Sequence, residues 1–190
     1  MANRTQIVCL HEGKKGHSID PVFINRLIRS LNPGWIRPFK GSNLLRLVDC
    51  GGRSELIKRT PQELKACCGN GGQTTLMVWA DLDDNMNDGE QLKGEFWTVA
   101  QAEGVTEEQF DGVVFAFARY RLENWIQYLT SGATNENEPG PRIKHNRFAA
   151  DAAKALAERC RLAQAIPTLP PSLEWSCRNW RKLVERMRSS

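Results

Sequence analysis

Acidic residues follow two apolar, strand-like runs of this chain. Glu12 comes shortly after the run at residues 7–10, and Asp81 and Asp83 follow the run at 76–80. In an open α/β sheet, ligands bind outside the carboxyl ends of the strands. Because Asp81 and Asp83 are two positions apart, we expect their side chains to point to the same side of an extended backbone. If the two runs are neighbouring strands, three carboxylates converge.

Carboxylates that converge in this way repel one another. At about 4 Å, each like-charge pair costs roughly 1 to 4 kcal/mol, depending on local screening. A hard divalent cation with oxygen ligands relieves this repulsion, and Mg²⁺ is the usual occupant. The sequence therefore predicts a metal site for Mg²⁺ or Mn²⁺, with Glu12, Asp81 and Asp83 as its candidate ligands.

The elements that must position these acids alternate between strand and helix. We predict strands at residues 5–10, 44–49, 74–80 and 112–118, and helices at 20–31, 60–69, 88–103 and 121–129. The second helix is predicted to start at Thr60, because Thr60-Pro61-Gln62-Glu63 is a capping box with proline at the first helical position. The alternation predicts an α/β fold with a mainly parallel sheet covered by helices.

A polar segment rich in glycine and proline separates this pattern from two further helices. We predict a metal-binding domain over residues 1–130, a linker or mobile loop over 131–145, and a helical C-terminal extension over 146–190. In the extension, Ser172 is predicted to be the N-cap of the last helix.

Charge is distributed unevenly between these parts. Residues 141–190 carry 11 Lys/Arg and 4 Asp/Glu, whereas the other 140 residues carry 15 Lys/Arg and 18 Asp/Glu. A basic extension attached to an acidic site suits a polyanionic substrate. A solvated helical surface would give the same count, so both interpretations stay open.

Composition limits the compartment and the class of protein. No apolar run approaches the roughly 18 to 20 residues of a membrane span, so we expect no membrane partner. The N-terminus leads into a strand without the hydrophobic region of a signal peptide, and the cysteines lack CxxC spacing. We therefore expect a cytoplasmic protein with reduced thiols.

The order and placement of the acidic motifs resemble the Toprim fold. This metal-binding domain occurs in topoisomerases, primases, recombination-mediator proteins and OLD-type nucleases. Residues 7–13 (Ile-Val-Cys-Leu-His-Glu-Gly) resemble its first motif, and residues 80–83 (Ala-Asp-Leu-Asp) its Asp-x-Asp motif. Residues 121–126 (Arg-Leu-Glu-Asn-Trp-Ile) are similar to a segment of small Toprim-like proteins in bacterial anti-phage systems. The resemblance covers roughly residues 5–130.

This resemblance implies a Mg²⁺-dependent nuclease that cleaves nucleic-acid phosphodiesters. It implies that Glu12 is a metal ligand or general base, that Asp81 and Asp83 are catalytic Mg²⁺ ligands, and that Glu123 supports a second metal position. Two metal ions about 3.5 to 4 Å apart stabilise the attacking and leaving oxygens in such enzymes. The resemblance further implies an effector of bacterial anti-phage defence that works with an ATPase partner.

The first loop departs from the Toprim pattern. Relatives often carry a further acid about four residues after Glu-Gly, but here residues 14–19 intervene before Asp20, so that ligand is displaced or absent. Lys14, Lys15 and His17 lie in this longer loop and are candidates for contacts with substrate phosphate.

Two other functions compete with the nuclease. One is a non-catalytic Toprim-like module, whose acids organise a partner interface or bind nucleic acid without cutting it. The other is a phosphoryl-transfer enzyme of flavodoxin-like topology, although the required arrangement of a nucleophilic Asp and a Lys is not found in the sequence.

Overall fold

The structure is a computed structural model that describes residues 6–13, 18–31, 45–69, 74–86, 88–162 and 169–189. The elements are β1 (Gln6–His11), α1 (Asp20–Leu31), β2 (Leu45–Asp49), α2 (Arg53–Gly69), β3 (Thr74–Leu82), α3 (Gly89–Ala102), α4 (Glu107–Asp111), β4 (Val114–Arg119), α5 (Leu122–Ser131), α6 (Asn146–Leu162) and α7 (Pro171–Ser189).

The four described strands form one parallel sheet in the order β2-β1-β3-β4. Helices connect the strands and cover the sheet, so the predicted α/β fold with a mainly parallel, helix-covered sheet is confirmed. None of the described helices has both the length and the apolar composition needed to cross a membrane.

Alternate residues of each strand supply a separate core on each face of the sheet. Trp79 of β3 lies on one face, where its ring centroid is 5.8 Å from Phe23 of α1 and 5.5 Å from Trp125 of α5. Val78 and Phe115 lie on the other face, packed with α2, α3 and α4. A strand buried on both faces must be apolar almost throughout, which explains the sequence of β3.

Helix α7 covers the β4 edge of the described sheet. The Ser176 hydroxyl accepts a hydrogen bond from the Phe117 N–H at 2.9 Å, and the Ser172 hydroxyl accepts one from the Arg119 N–H at 3.2 Å. Two serines one helical turn apart therefore satisfy alternate N–H groups of the strand. Covering an edge with a helix protects it from pairing with another chain.

The segment predicted to be a linker or mobile loop makes specific contacts. The buried Asn124 side chain donates hydrogen bonds to the carbonyls of Asn135 and Glu138, at 3.0 and 2.9 Å. The Glu136 carboxylate accepts the Ser172 N–H at 3.0 Å, in the first turn of α7. Ser172 thus lies inside the helix that it was predicted to cap. The division into residues 1–130, 131–145 and 146–190 stays a prediction, although α6 and α7 share the core of one sheet face.

The predicted start of the second helix is wrong. Helix α2 begins at Arg53, and Pro61 lies inside it. Proline removes one backbone donor and usually breaks a helix. Here the Thr60 hydroxyl donates to the Leu56 carbonyl at 2.8 Å, and Leu56, Thr60 and Pro61 are all buried. Tertiary packing therefore outweighs the local capping signal.

Candidate functional site

The predicted acids lie at the carboxyl end of the sheet, where β1 and β3 are neighbours. Glu12 directly follows His11, which pairs with Trp79 of β3. Asp81 lies within β3 and pairs with Ala118 of β4, because β3 is two residues longer than predicted. Strand β2 lies on one side of β1 in the sheet, and β3 lies on the other side of β1. In doubly wound sheets, such a reversal of strand order opens a ligand crevice.

Asp81 is the centre of an acidic group at this edge. Burial is the largest cause that raises the pKa of its carboxyl well above the ordinary value. Three negative charges raise that pKa further; in decreasing order of effect they belong to Asp20, Glu12 and Glu123. Arg53 lowers it, but by less. The surroundings of Asp81 therefore disfavour its negative charge and favour the protonated carboxyl.

Asp20 takes the place of the acid that the spacing after Glu12 predicted to be displaced or absent. It is the first residue of α1, and its Oδ2 atom accepts a hydrogen bond from the Ser18 hydroxyl at 2.6 Å. A Cβ atom on Gly13 would lie 3.1 Å from the same oxygen and 2.8 Å from Ser18 Cβ. Glycine after Glu12 therefore allows the close approach that brings Asp20 into the group. Burial raises the pKa of Asp20, while Ser18 and His11 lower it.

Arg53 belongs to the candidate site, although none of the predicted motifs pointed to it. Its Nε donates to Glu12 Oε1 at 3.1 Å, its Nη1 donates to the Asp83 carboxylate, and its Nη2 donates to the Asp81 backbone carbonyl. Arg53 is the first residue of α2, so the misplaced helix start concealed it. The glycine pair before Arg53 was the available signal: Gly51 has φ of 69°, which makes the sharp turn from β2 into α2.

The two acids of the Asp-x-Asp motif have different surroundings. Asp83 lies beyond the end of β3, its side chain is 60% exposed, and it pairs with Arg53. Glu12 is half-buried and its pKa is raised: burial raises it most, the Arg53 charge lowers it, and Asp83 and Asp20 raise it again. Glu12 thus connects the Asp81–Asp20 side of the site with the Arg53–Asp83 side.

Glu123 approaches the site from the first turn of α5. Tyr120 precedes this helix with φ of 60°, and it is the one non-glycine residue with positive φ in the described ranges. This strained conformation turns the chain sharply from β4 into α5, and such strain clusters at functional sites. Burial raises the pKa of Glu123, and the charges of Arg121 and Arg142 lower it.

The remaining predicted site residues are Lys14, Lys15 and His17, which lie outside the described residues. The predicted contacts of these residues with phosphate therefore stay a prediction.

The side chains fit a hard divalent cation in their chemistry, because carboxylate oxygens are the ligands that Mg²⁺ and Mn²⁺ prefer. Two of the acids are held by Arg53 in this arrangement. Within the described residues, no three His, Cys, Asp or Glu side chains form a group that could hold a metal ion. The acids thus offer suitable ligands, but Glu12 and Asp83 would exchange Arg53 for the ion.

Comparisons with protein-family models, with curated proteins and with solved structures find no match for this chain. The Toprim-like relationship therefore stays an expectation from the short motifs.

Proposed function

We propose that this protein is a Mg²⁺-dependent nuclease that hydrolyses nucleic-acid phosphodiesters. The observation that carries this proposal is the convergence of four acids, Asp81, Asp20, Glu12 and Glu123, at the crevice between β1 and β3. Clustered carboxylates with raised pKa values are typical of functional sites, since a core rarely retains such repulsion without a use for it.

Asp81, Asp20, Glu12 and Glu123 are the residues that would hold the metal, and they would have to move closer to one another to do so. Asp83 would join them where Arg53 releases it. When bound, the ion supplies a Lewis acid that stabilises negative charge on a phosphoryl oxygen. Neutralisation of the acids would also lower the repulsion that raises their pKa values.

The chain's own cations would position the polyanionic substrate. Arg53 orients Glu12 and Asp83 through its Nε and Nη1 donors. Its planar guanidinium also matches the geometry of a phosphate, to which arginine donates paired hydrogen bonds. Arg121 and Arg142 act electrostatically on Glu123, another acid of the group. Acids that attract a cation are thus flanked by arginines that attract phosphate.

A comparison of two Asp→Asn variants tests the proposal. With Mg²⁺ or Mn²⁺ and a panel of single- and double-stranded DNA and RNA, the unmodified protein should cleave at least one substrate. Asp81→Asn should lower the rate by about 100-fold or more, the range expected when a catalytic group is lost. Asp84→Asn is the matched control in the exposed turn after β3, and it should retain the rate.

Equal rates for the unmodified protein and Asp81→Asn would contradict the proposed site. An absence of cleavage by the unmodified protein, both alone and with its ATPase partner, would contradict the nuclease. The ATPase partner and the role in anti-phage defence are part of this proposal, and they rest on the resemblance of residues 121–126 to small Toprim-like effectors.

The arrangement of Arg53 favours one alternative, a non-catalytic module that binds nucleic acid or a partner. Arg53 already compensates Glu12 and Asp83, as in a site that is maintained without a metal. Titration with Mn²⁺ followed by calorimetry separates the two functions. Nucleic-acid binding without heat of Mn²⁺ binding, and without cleavage, would support the module.

A further inference from the structure

A large cavity lies beside the acidic group and has no role in the proposed metal site. It has a volume of about 930 Å³ and opens between the carboxyl ends of β1 and β2, the start of α1 and the segment that precedes α6. We call it the His11 cavity, after the residue at its inner end. Its walls include Ser18, Val22, Leu47 and Lys144.

His11 places an unsatisfied polar atom in the cavity wall. The residue is 2% exposed, and its Nδ1 atom has no hydrogen-bond partner in the part of the chain that the structure describes. An unpaired buried polar atom costs about 1 to 3 kcal/mol. His11 follows the alternation of β1 away from Glu12, so this ring lies on the cavity side of the sheet. A ligand with a polar edge could satisfy it.

Two chain segments connect the cavity with the acidic group. Ser18 lines the cavity, and its hydroxyl donates to the Asp20 carboxylate. Arg142 acts on Glu123, and the residue two positions later, Lys144, lines the cavity. The cavity wall therefore contacts the acidic group through Ser18 and Asp20.

The walls offer groups that complement three parts of a nucleotide: the face of its base, the polar edge of that base and the phosphate. Half-buried Val22 and Leu47 offer apolar surface to a base, and His11 offers a polar atom to its edge. Exposed Lys144 offers positive charge to phosphate. Arg46 also lines the cavity, but its guanidinium pairs with Glu63 of α2 at 2.6 Å, and Asp49 adds a carboxylate to the wall. A mainly apolar cleft of several hundred Å³ with a few polar groups is typical of small-molecule sites.

We propose that the His11 cavity binds one nucleotide of the substrate strand, next to the phosphodiester at the acidic group. This inference rests on the proposed function and adds where the substrate is held. The cavity selects a nucleoside phosphate through its base, which the acidic group does not contact.

Calorimetric titration with AMP, GMP, CMP and UMP in EDTA tests this inference without any dependence on cleavage. At least one nucleotide should bind saturably to the unmodified protein. Lys144→Ala should weaken binding about tenfold, which corresponds to roughly 1.4 kcal/mol. Lys154→Ala, an exposed lysine of α6, is the matched control and should leave the affinity unchanged.

Val22→Trp fills the cavity and should abolish nucleotide binding; a thermal melt checks that this variant folds. The inference is wrong if no nucleotide binds at millimolar concentration, or if Lys144→Ala and a folded Val22→Trp both bind like the unmodified protein. Asp81→Asn separates the cavity hypothesis from the nuclease hypothesis. This variant should lose cleavage and should keep nucleotide binding. Nucleotide binding by a protein that cleaves nothing would refute the nuclease and leave the cavity assignment standing.

Discussion

Asp81→Asn should stabilise the fold when no divalent cation is present. The substitution keeps the size and shape of the side chain and removes one negative charge from the acidic group. A like-charge pair at about 4 Å costs roughly 1 kcal/mol with the screening of water and about 4 kcal/mol near a protein surface. Three acids act on Asp81 and Arg53 offsets part of their effect, so we expect a net gain of about 1 to 3 kcal/mol.

The gain should depend on pH with a defined sign. The folded pKa of Asp81 is raised, so its proton binds more tightly in the folded state than in the unfolded state. The unmodified protein therefore loses stability as pH rises from about 4, the ordinary pKa of aspartate, through the raised folded pKa. Asp81→Asn lacks this loss, so its advantage should be greatest at neutral pH and should vanish near pH 4.

Divalent cations should reduce the advantage of Asp81→Asn, and should reverse it where it is smaller than about 2.7 kcal/mol. A ligand present at 100 times its Kd stabilises the state that binds it by about 2.7 kcal/mol. Mn²⁺ should therefore raise the melting temperature of the unmodified protein, and it should have little effect on Asp81→Asn.

Thermal and urea unfolding in EDTA and in Mn²⁺ measure these differences. For a chain of this length, 1 kcal/mol shifts the melting temperature by about 2 to 4 °C. Asp84→Asn, in the exposed turn after β3, should stay within about 0.5 kcal/mol of the unmodified protein. If Asp81→Asn is less stable than the unmodified protein in EDTA at neutral pH, the Asp81 charge is compensated, and the electrostatic reasoning is refuted.

Three further substitutions test the packing and hydrogen bonds that support the site, each by urea unfolding. Gly89→Ala should destabilise by about 1 to 3 kcal/mol, because its Cβ would lie 2.5 Å from the Trp175 ring. Gly94→Ala in the same helix has open space and should stabilise by about 0.5 to 1 kcal/mol. Ser172→Ala should cost about 1 to 3 kcal/mol, since it removes a buried hydroxyl that accepts from one backbone N–H and one indole N–H. Thr106→Ala removes the capping box of α4 and should cost about 1 kcal/mol, and an unchanged midpoint would contradict a role for that cap.

Local patterns were sufficient to predict the helix-covered parallel sheet. The run that contains Trp79 is apolar almost throughout, which is typical of a strand buried on both faces. The structure places this strand in the centre of the sheet. Once the strands are predicted, the acids that follow them are expected to lie together, because parallel strands all have their carboxyl ends at one edge of the sheet. Glu12 and Asp81 are therefore brought to the same edge by features that short windows of sequence contain.

Long-range contacts decided the rest of the site. Arg53 is 41 positions from Glu12 and 30 from Asp83, and its place depends on the α2 start that the Thr60 signal misplaced. Asp20 joins the acids through the close approach of Gly13 and Ser18, which spacing alone does not reveal.

The amino-acid sequence alone determined the alternation of strands and helices and the edge at which Glu12 and Asp81 meet, because periodicity and strand polarity are local properties. The tertiary structure alone decided which charges compensate each acid. The packing of separate helices on the sheet places the Asp20 charge near Asp81. It also brings Arg53 to Asp83. The same packing forms the His11 cavity and brings the serines of α7 to the β4 edge. Electrostatic energy and hydrogen bonding depend on distances between atoms, and packing sets those distances for residues far apart in the chain.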